Sequence, residues 1–186
     1  MRINENTSLV GLRVTLIPYL KEHVEAYHAW MTDPSLQELT ASEPLSLEEE
    51  YEMQQSWHVD EDKLTFIVTV EQGKLIGDVN LFLSQEDDGT VKAECEVMIA
   101  SKEHQGQGLG KEALQMIILY ASKHLSISPA AFFAKIGTSN TPSLHLFRKL
   151  GFEEIGRSEV FQEVELRHAA SIFHWQVVFK ETPYKP

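Results

Sequence analysis

The chain has 186 residues, 42% of them hydrophobic and 24% charged, with a formal net charge of -12 at pH 7. This is the make-up of an ordinary water-soluble globule, and the acidity excludes non-specific attraction to nucleic acid or an anionic membrane. The length predicts a single domain over 1–186. The lone Cys95 excludes an internal disulfide, no run of about 18 apolar residues offers a membrane span, and the first residues lack the apolar core of a secretion signal, so the expected location is cytoplasmic. An acidic surface suits a basic or amine-bearing partner as well as it suits solubility.

Apolar and polar residues alternate over 12–17, which predicts a first strand ended by Pro18. A helix over 22–31 stops at Asp33-Pro34. Ser46 with Glu49 three residues on is a capping box, opening a helix to about Trp57. The β-branched run 64–70 reads as a strand. Gln72-Gly73 turns the chain into a strand over 74–83, and Asp87-Asp88-Gly89 turns it into another over 91–100. After the stretch Gln105-Gly106-Gln107-Gly108-Leu109-Gly110 comes a helix over 111–124, with Leu109, Ala113, Met116, Ile117 and Tyr120 on one face. A strand over 131–136 follows. Thr141 caps the next helix, with Pro142 at its first position and Gly151 at its end. A long, bent strand over 152–167, a last strand over 172–179 and a frayed tail over 181–186 complete the chain. The order predicts a mixed α/β (α+β) fold: about seven mostly antiparallel strands, about four helices and one late strand–helix–strand unit.

The glycine stretch carries the chemistry. Alternating glycines between a strand and a helix leave backbone amides bare at the helix start, where the orphan N–H groups and the helix dipole both favour an anion such as a pyrophosphate. The spacing does not fit a dinucleotide fingerprint, and Gly110-Lys111 is followed by Glu112, which excludes a P-loop. Glu94 and Glu96 lie two apart on one strand face, so each raises the other's pKa, as base chemistry requires. Cys95 points to the opposite face and reads as a small buried residue, so no acyl-enzyme is expected. Asp78, Asn80 and Phe82 share a face and are candidates to line an acceptor site. The histidines show no metal-ligand spacing, and no metal is expected.

A second motif lies downstream. Asn140-Thr141-Pro142-Ser143 opens a helix that ends Phe147-Arg148-Lys149-Leu150-Gly151-Phe152. Together the two motifs resemble the GNAT superfamily of acetyl-CoA-dependent N-acetyltransferases. The segments 40–45, 77–83, 96–100 and 160–164 extend the resemblance to its N-acetyltransferase 9-like branch, which is associated with acetylating protein N-termini, those of tubulin among them. The resemblance implies that Met98, Ile99 and Ala100 offer backbone groups to the pantetheine arm of acetyl-CoA. It implies that Gln105, Gly106, Gln107, Gly108, Leu109, Gly110 and Lys111 cradle the pyrophosphate, and that Asn140, Ser143 and Phe147 stand beside the cofactor. Gln105 replaces an Arg common at its position. Phe147 replaces a Tyr that serves many members as general acid.

Glu94 and Glu96 both match positions of a base in such enzymes, and Glu96, nearer the splay between strands, is the first choice. The acceptor expected is the N-terminal α-amine of a protein such as tubulin. A small amine or a lysine, and a non-catalytic CoA-binding protein that docks on microtubules, are the alternatives. An open groove favours a protein acceptor and a closed pocket a small one.

Overall fold

The computed structural model describes residues 2–185. Among the described residues, nine strands form one sheet in the order β7-β8-β6-β5-β4-β3-β2-β1-β9. The strands are β1 (Thr7–Val10), β2 (Thr15–Pro18), β3 (Lys63–Thr69), β4 (Leu75–Gln85), β5 (Val91–Ile99), β6 (Phe132–Gly137), β7 (Phe152–Ser158), β8 (Glu163–His168) and β9 (Lys180–Pro183). Five α-helices accompany them: α1 (Val24–Met31), α2 (Pro34–Leu39), α3 (Leu47–Val59), α4 (Leu109–Leu125) and α5 (Thr141–Lys149). The mixed, mostly antiparallel class matches expectation, with two more strands and one more helix than the sequence suggested.

The two sheet faces are covered differently. One carries α4 and α5: Leu109, Ala113, Met116, Ile117 and Tyr120 are all buried there, against Leu64, Phe66, Leu81 and Phe132. The other carries α1–α3 over β2–β4 and the end of β5, through Tyr19, Tyr27, Met31, Leu36, Ile67 and Met98. β3 lies between both layers and is buried at every position, so it reads as a continuous rather than an alternating run.

The site is prepared by one irregularity. β5 and β6 form the parallel pair, joined only at Ala93–Phe132 and Glu94–Phe133. Beyond Phe133, β6 continues in register with β8, while β5 continues with β4, pairing Phe82 with Glu94, Asn80 with Glu96 and Asp78 with Met98. The two strands therefore part after Glu94 and leave a wedge.

Several expected boundaries differ. The expected first strand is a hairpin, β1–β2, whose turn holds Gly11, Leu12 and Arg13; Leu12 is 88% exposed and breaks the apparent alternation. Asp33-Pro34 ends α1 and also starts α2, because the Asp33 carboxylate accepts from the Ser35 amide. The cap of α5 is Asn140, one residue before Thr141; its Oδ1 accepts from the Ser143 amide at 3.2 Å. The long strand over 152–167 is the hairpin β7–β8, turned through residues without Gly or Pro, with Gln162 at φ 52°. Residues 172–179 are an extended strap, not a strand. Phe173, Trp175, Val177 and Phe179 pack on the core, and Trp175 Nε1 donates to the Leu150 carbonyl at 3.1 Å. The tail is not frayed: β9 pairs with β1, and Lys123 and His124 hold Glu181 at 2.7 and 2.9 Å. Pro186 lies outside the described residues.

Candidate active site

The glycine loop sits where β5 passes into α4. Gly106 and Gly108 take φ of 72° and 79°, a left-handed backbone that glycine adopts without steric penalty. Among the described residues, no hydrogen-bond acceptor faces the six amides of residues 106–111. A side chain at Gly106 would meet nothing within 4 Å, so the space over the loop is open. The residues present fit a doubly charged phosphate group: unpaired N–H donors, the positive end of a 17-residue helix and room above it. The start of the helix lies against β5: a Cβ at Gly110 would stand at ordinary contact distance, 3.4 Å from Ile99 and 3.5 Å from Val97.

Gln105 turns inward, its Nε2 donating to the Ile99 carbonyl at 2.7 Å. The Ala100 amide donates to Ile76 on β4, and the Met98 carbonyl lies against Gly77, where any side chain would collide with it. The Ile99 carbonyl is thus spoken for by the chain, and the Met98 carbonyl faces β4. His104 is bound to Ser101 through Nδ1 at 2.7 Å.

From the wedge an open cavity of about 430 Å³ runs along the sheet toward α1–α3, with Tyr27, Leu39 and Trp57 in its lining. It gathers most of the expected residues: Glu94, Glu96 and Met98 from β5; Asp78, Asn80 and Phe82 from β4; Asn140, Ser143 and Phe147 from α5. Ile99, Ala100 and the loop 105–111 lie outside it. Its lining includes Leu39, 52% exposed at the end of α2, and Phe161, 75% exposed at the β7–β8 tip.

Electrostatics grade the cavity wall. Asp78 is buried; its Oδ2 accepts from Asn80 Nδ2 at 2.7 Å and from the Tyr27 hydroxyl at 3.5 Å. Burial pushes its carboxyl up to about 6, against the pull of Asn80 and Lys63. Asn80 in turn accepts from Thr65 at 2.7 Å. Glu96 keeps exposed surface toward the cavity, yet stands deep enough in the wall for lost hydration to dominate. Its pKa is pushed up to about 7; Asp78 and Glu94 add to the rise and Lys63 opposes it. Glu94 is raised less, by burial, with Lys135 at 3.7 Å opposing. The buried Cys95 thiol lies on the opposite face and is pushed well up by burial, so it stays protonated.

Two residues of this site carry no motif. Lys63 is 2% exposed, its ammonium 3.2 Å from the Trp57 ring centroid and 3.6 Å from that of Phe82. Burial lowers its pKa, while Glu96, Asp78 and Asp60 hold it up. Only the β3–β4–β5 register brings it near Glu96, and a lysine opening a strand gives no sequence signal of that. Tyr27, from α1, lines the cavity beside Asp78. Tyr120 and Tyr184 do not: their hydroxyls bond the Ile3 carbonyl and Glu22.

A wedge between parallel strands, bare amides at the following helix and a carboxylate on the parting strand define an acyl-CoA-binding class of transferase. Residues 13–153 match the family described as acetyltransferase (GNAT) domain, and the chain belongs to that family of acetyl-CoA-dependent acyltransferases. It is 46% identical to the human alpha/beta-tubulin-N-acetyltransferase 9 over 99% of this chain and 93% of that one. It is 48% identical to an N-acetyltransferase 9-like protein of Nematostella vectensis, over 93% and 91% of the two chains. The fold is shared with a Vibrio cholerae spermidine N-acetyltransferase solved with CoA and spermine, at TM-score 0.69 and 22% identity over 88% and 94%. It is also shared with a ribosomal L7/L12 alpha-N-protein acetyltransferase, at TM-score 0.72 and 19% identity over 85% and 90%. No helix among the described residues is long and apolar enough to cross a membrane.

Proposed function

We propose that the chain, acting as one domain over 1–186 in the cytoplasm, acetylates the N-terminal α-amine of a polypeptide, tubulin being the leading candidate. Transfer runs directly between substrates bound together. The observation that carries this reading is the bare-amide loop at the head of α4 together with the gap after Glu94 and the open, acid-lined cavity that starts there. The openness favours a polypeptide over a small amine: the α1–α3 layer reaches β5 only at its end, through Met98, and the cavity lining exposes Leu39 and Phe161. The names carried by the relatives support the same acceptor.

Acetyl-CoA supplies an activated acetyl group. The amides of residues 106–111 hold its diphosphate, and the free edge of β5 beside the wedge takes its arm; Asn140, Ser143 and Phe147 close the other side. Asp78 attracts the incoming ammonium. Glu96, poised near neutrality, takes a proton from it and frees the lone pair. An α-amine ordinarily titrates at about 7.7–8.0, so a base of this strength suffices. A strand amide near Met98 or Ile99 meets the charge that develops on the acyl oxygen. Phe147 has no proton to give, and the ammonium or water protonates the leaving thiolate. Cys95, neutral and on the far face, takes no part.

The test is turnover of acetyl-CoA with peptides from the N-termini of α- and β-tubulin, beside the same peptides N-terminally blocked but carrying lysine. Thiol release and acetylation of the free terminus are expected. Release only with lysine peptides or polyamines refutes the α-amine reading. CoA binding with no release from any amine identifies a docking protein.

A further inference from the structure

We propose that Arg13 is a positioning residue for the diphosphate: it clamps the carbonyl side of the glycine loop and supplies the positive charge that Gln105 lacks. The inference rests on the loop being the diphosphate site.

A loop that presents its amides outward must turn its carbonyls somewhere. Here two of them meet one guanidinium. Arg13 Nη1 donates to the Gln107 carbonyl at 2.8 Å and Nη2 to the Gly108 carbonyl at 3.2 Å. These carbonyls flank the left-handed turn at Gly108. With two glycines at positive φ, the loop has little intrinsic preference for this conformation. Something outside it must hold the peptides in place, and Arg13 comes from the β1–β2 turn, 94 and 95 residues away in sequence.

The clamp is itself anchored. Arg13 Nε donates to Glu112 Oε2 at 3.0 Å, while Glu112 Oε1 accepts the amides of Leu12 and Arg13 at 2.8 and 2.9 Å. Glu112 is 6% exposed and lies in the first turn of α4. An acid there suits the helix dipole but repels a diphosphate bound at the same end. Arg13 offsets that repulsion from the carbonyl side of the loop, and its side chain keeps 49% of its surface. A planar fork spans two carbonyls and a carboxylate at once, which an ammonium cannot do.

The experiment is calorimetric and needs no turnover. The dissociation constants of CoA and of S-acetyl-pantetheine, which lacks the diphosphate, are measured for the full chain, and their ratio is the readout. Loss of charge-assisted hydrogen bonds predicts that Arg13→Met lowers the preference for CoA at least about tenfold. Arg13→Lys, with charge but no fork, is expected to lower it about threefold. A general loss of structure weakens both ligands and leaves the ratio alone. An unchanged ratio in Arg13→Met overturns the inference; if that variant fails to fold, a parental ratio in Arg13→Lys does so. A parent with no preference for CoA removes the diphosphate reading itself, whereas a preferring parent matched by Arg13→Met removes only the role of Arg13.

Discussion

The pH dependence of turnover puts the heaviest demand on the proposed base. Glu96 is raised to about 7 because the cavity wall strips part of its hydration and because Asp78 and Glu94 stand on the same face. A base works only when ionised. At saturation with both substrates, kcat is therefore expected to be half-maximal near pH 7 and to fall about tenfold per pH unit well below it. Lys63 opposes the rise. Replacing it by Met, which fits the slot between Trp57 and Phe82, removes the favourable charge and moves the limb to higher pH. Glu96→Gln abolishes the limb and slows kcat about 10²–10⁴-fold, as removal of a general base does, with CoA affinity little changed because Glu96 lines the cavity and residues 105–111 do not. The assay is thiol release from pH 5.5 to 9 for parent, Lys63→Met and Glu96→Gln. A parent flat across neutrality, or a Glu96→Gln variant with the parental limb, refutes the assignment.

Other expectations follow from single contacts. Gly108→Glu places a carboxylate among the bare amides and a side chain at φ 79°, which costs about 1–2 kcal/mol in backbone strain alone; calorimetry is expected to detect no CoA binding, and parental affinity contradicts the loop assignment. Asp78 has a folded-state pKa of about 6 against an ordinary 3.8, so the stability it gives when protonated is lost as pH rises through 6. Asp78→Asn is therefore expected to raise urea stability by up to about 3 kcal/mol at pH 8 and by almost nothing near pH 3, below the unfolded pKa, while raising the acceptor KM; equal gains at both pH values exclude a charge effect. Glu112→Ala leaves the amides of Leu12 and Arg13 without their acceptor, a loss of about 2–3 kcal/mol readable in the urea midpoint.

What was legible in the sequence has a common physical basis: local signals. The capping box Ser46–Glu49, the period of α4 and the glycine loop each depend on neighbours within a few residues, and each stands where the pattern put it. The face shared by Asp78, Asn80 and Phe82 was readable because strand side chains alternate. Register decides the rest. Nothing near Lys63 or Arg13 in the chain announces their places; strand pairing brings one toward Glu96, and a turn-to-helix contact brings the other under the loop. Two expected strands differ for the same reason. Residues 172–179 are a strap that packs Phe173, Trp175, Val177 and Phe179 on the core without strand pairing, and 152–167 is broken by a turn lacking Gly and Pro. The tail reads as polar and loose, yet β1 offers it an edge.

The central claim, that unpaired amides at the head of α4 hold a diphosphate, is tested most directly by a crystal structure with CoA. The account predicts phosphate oxygens within hydrogen-bonding distance of the amides of residues 106–111 and the arm in the gap after Glu94. Coenzyme bound elsewhere, with those amides left facing water, contradicts it.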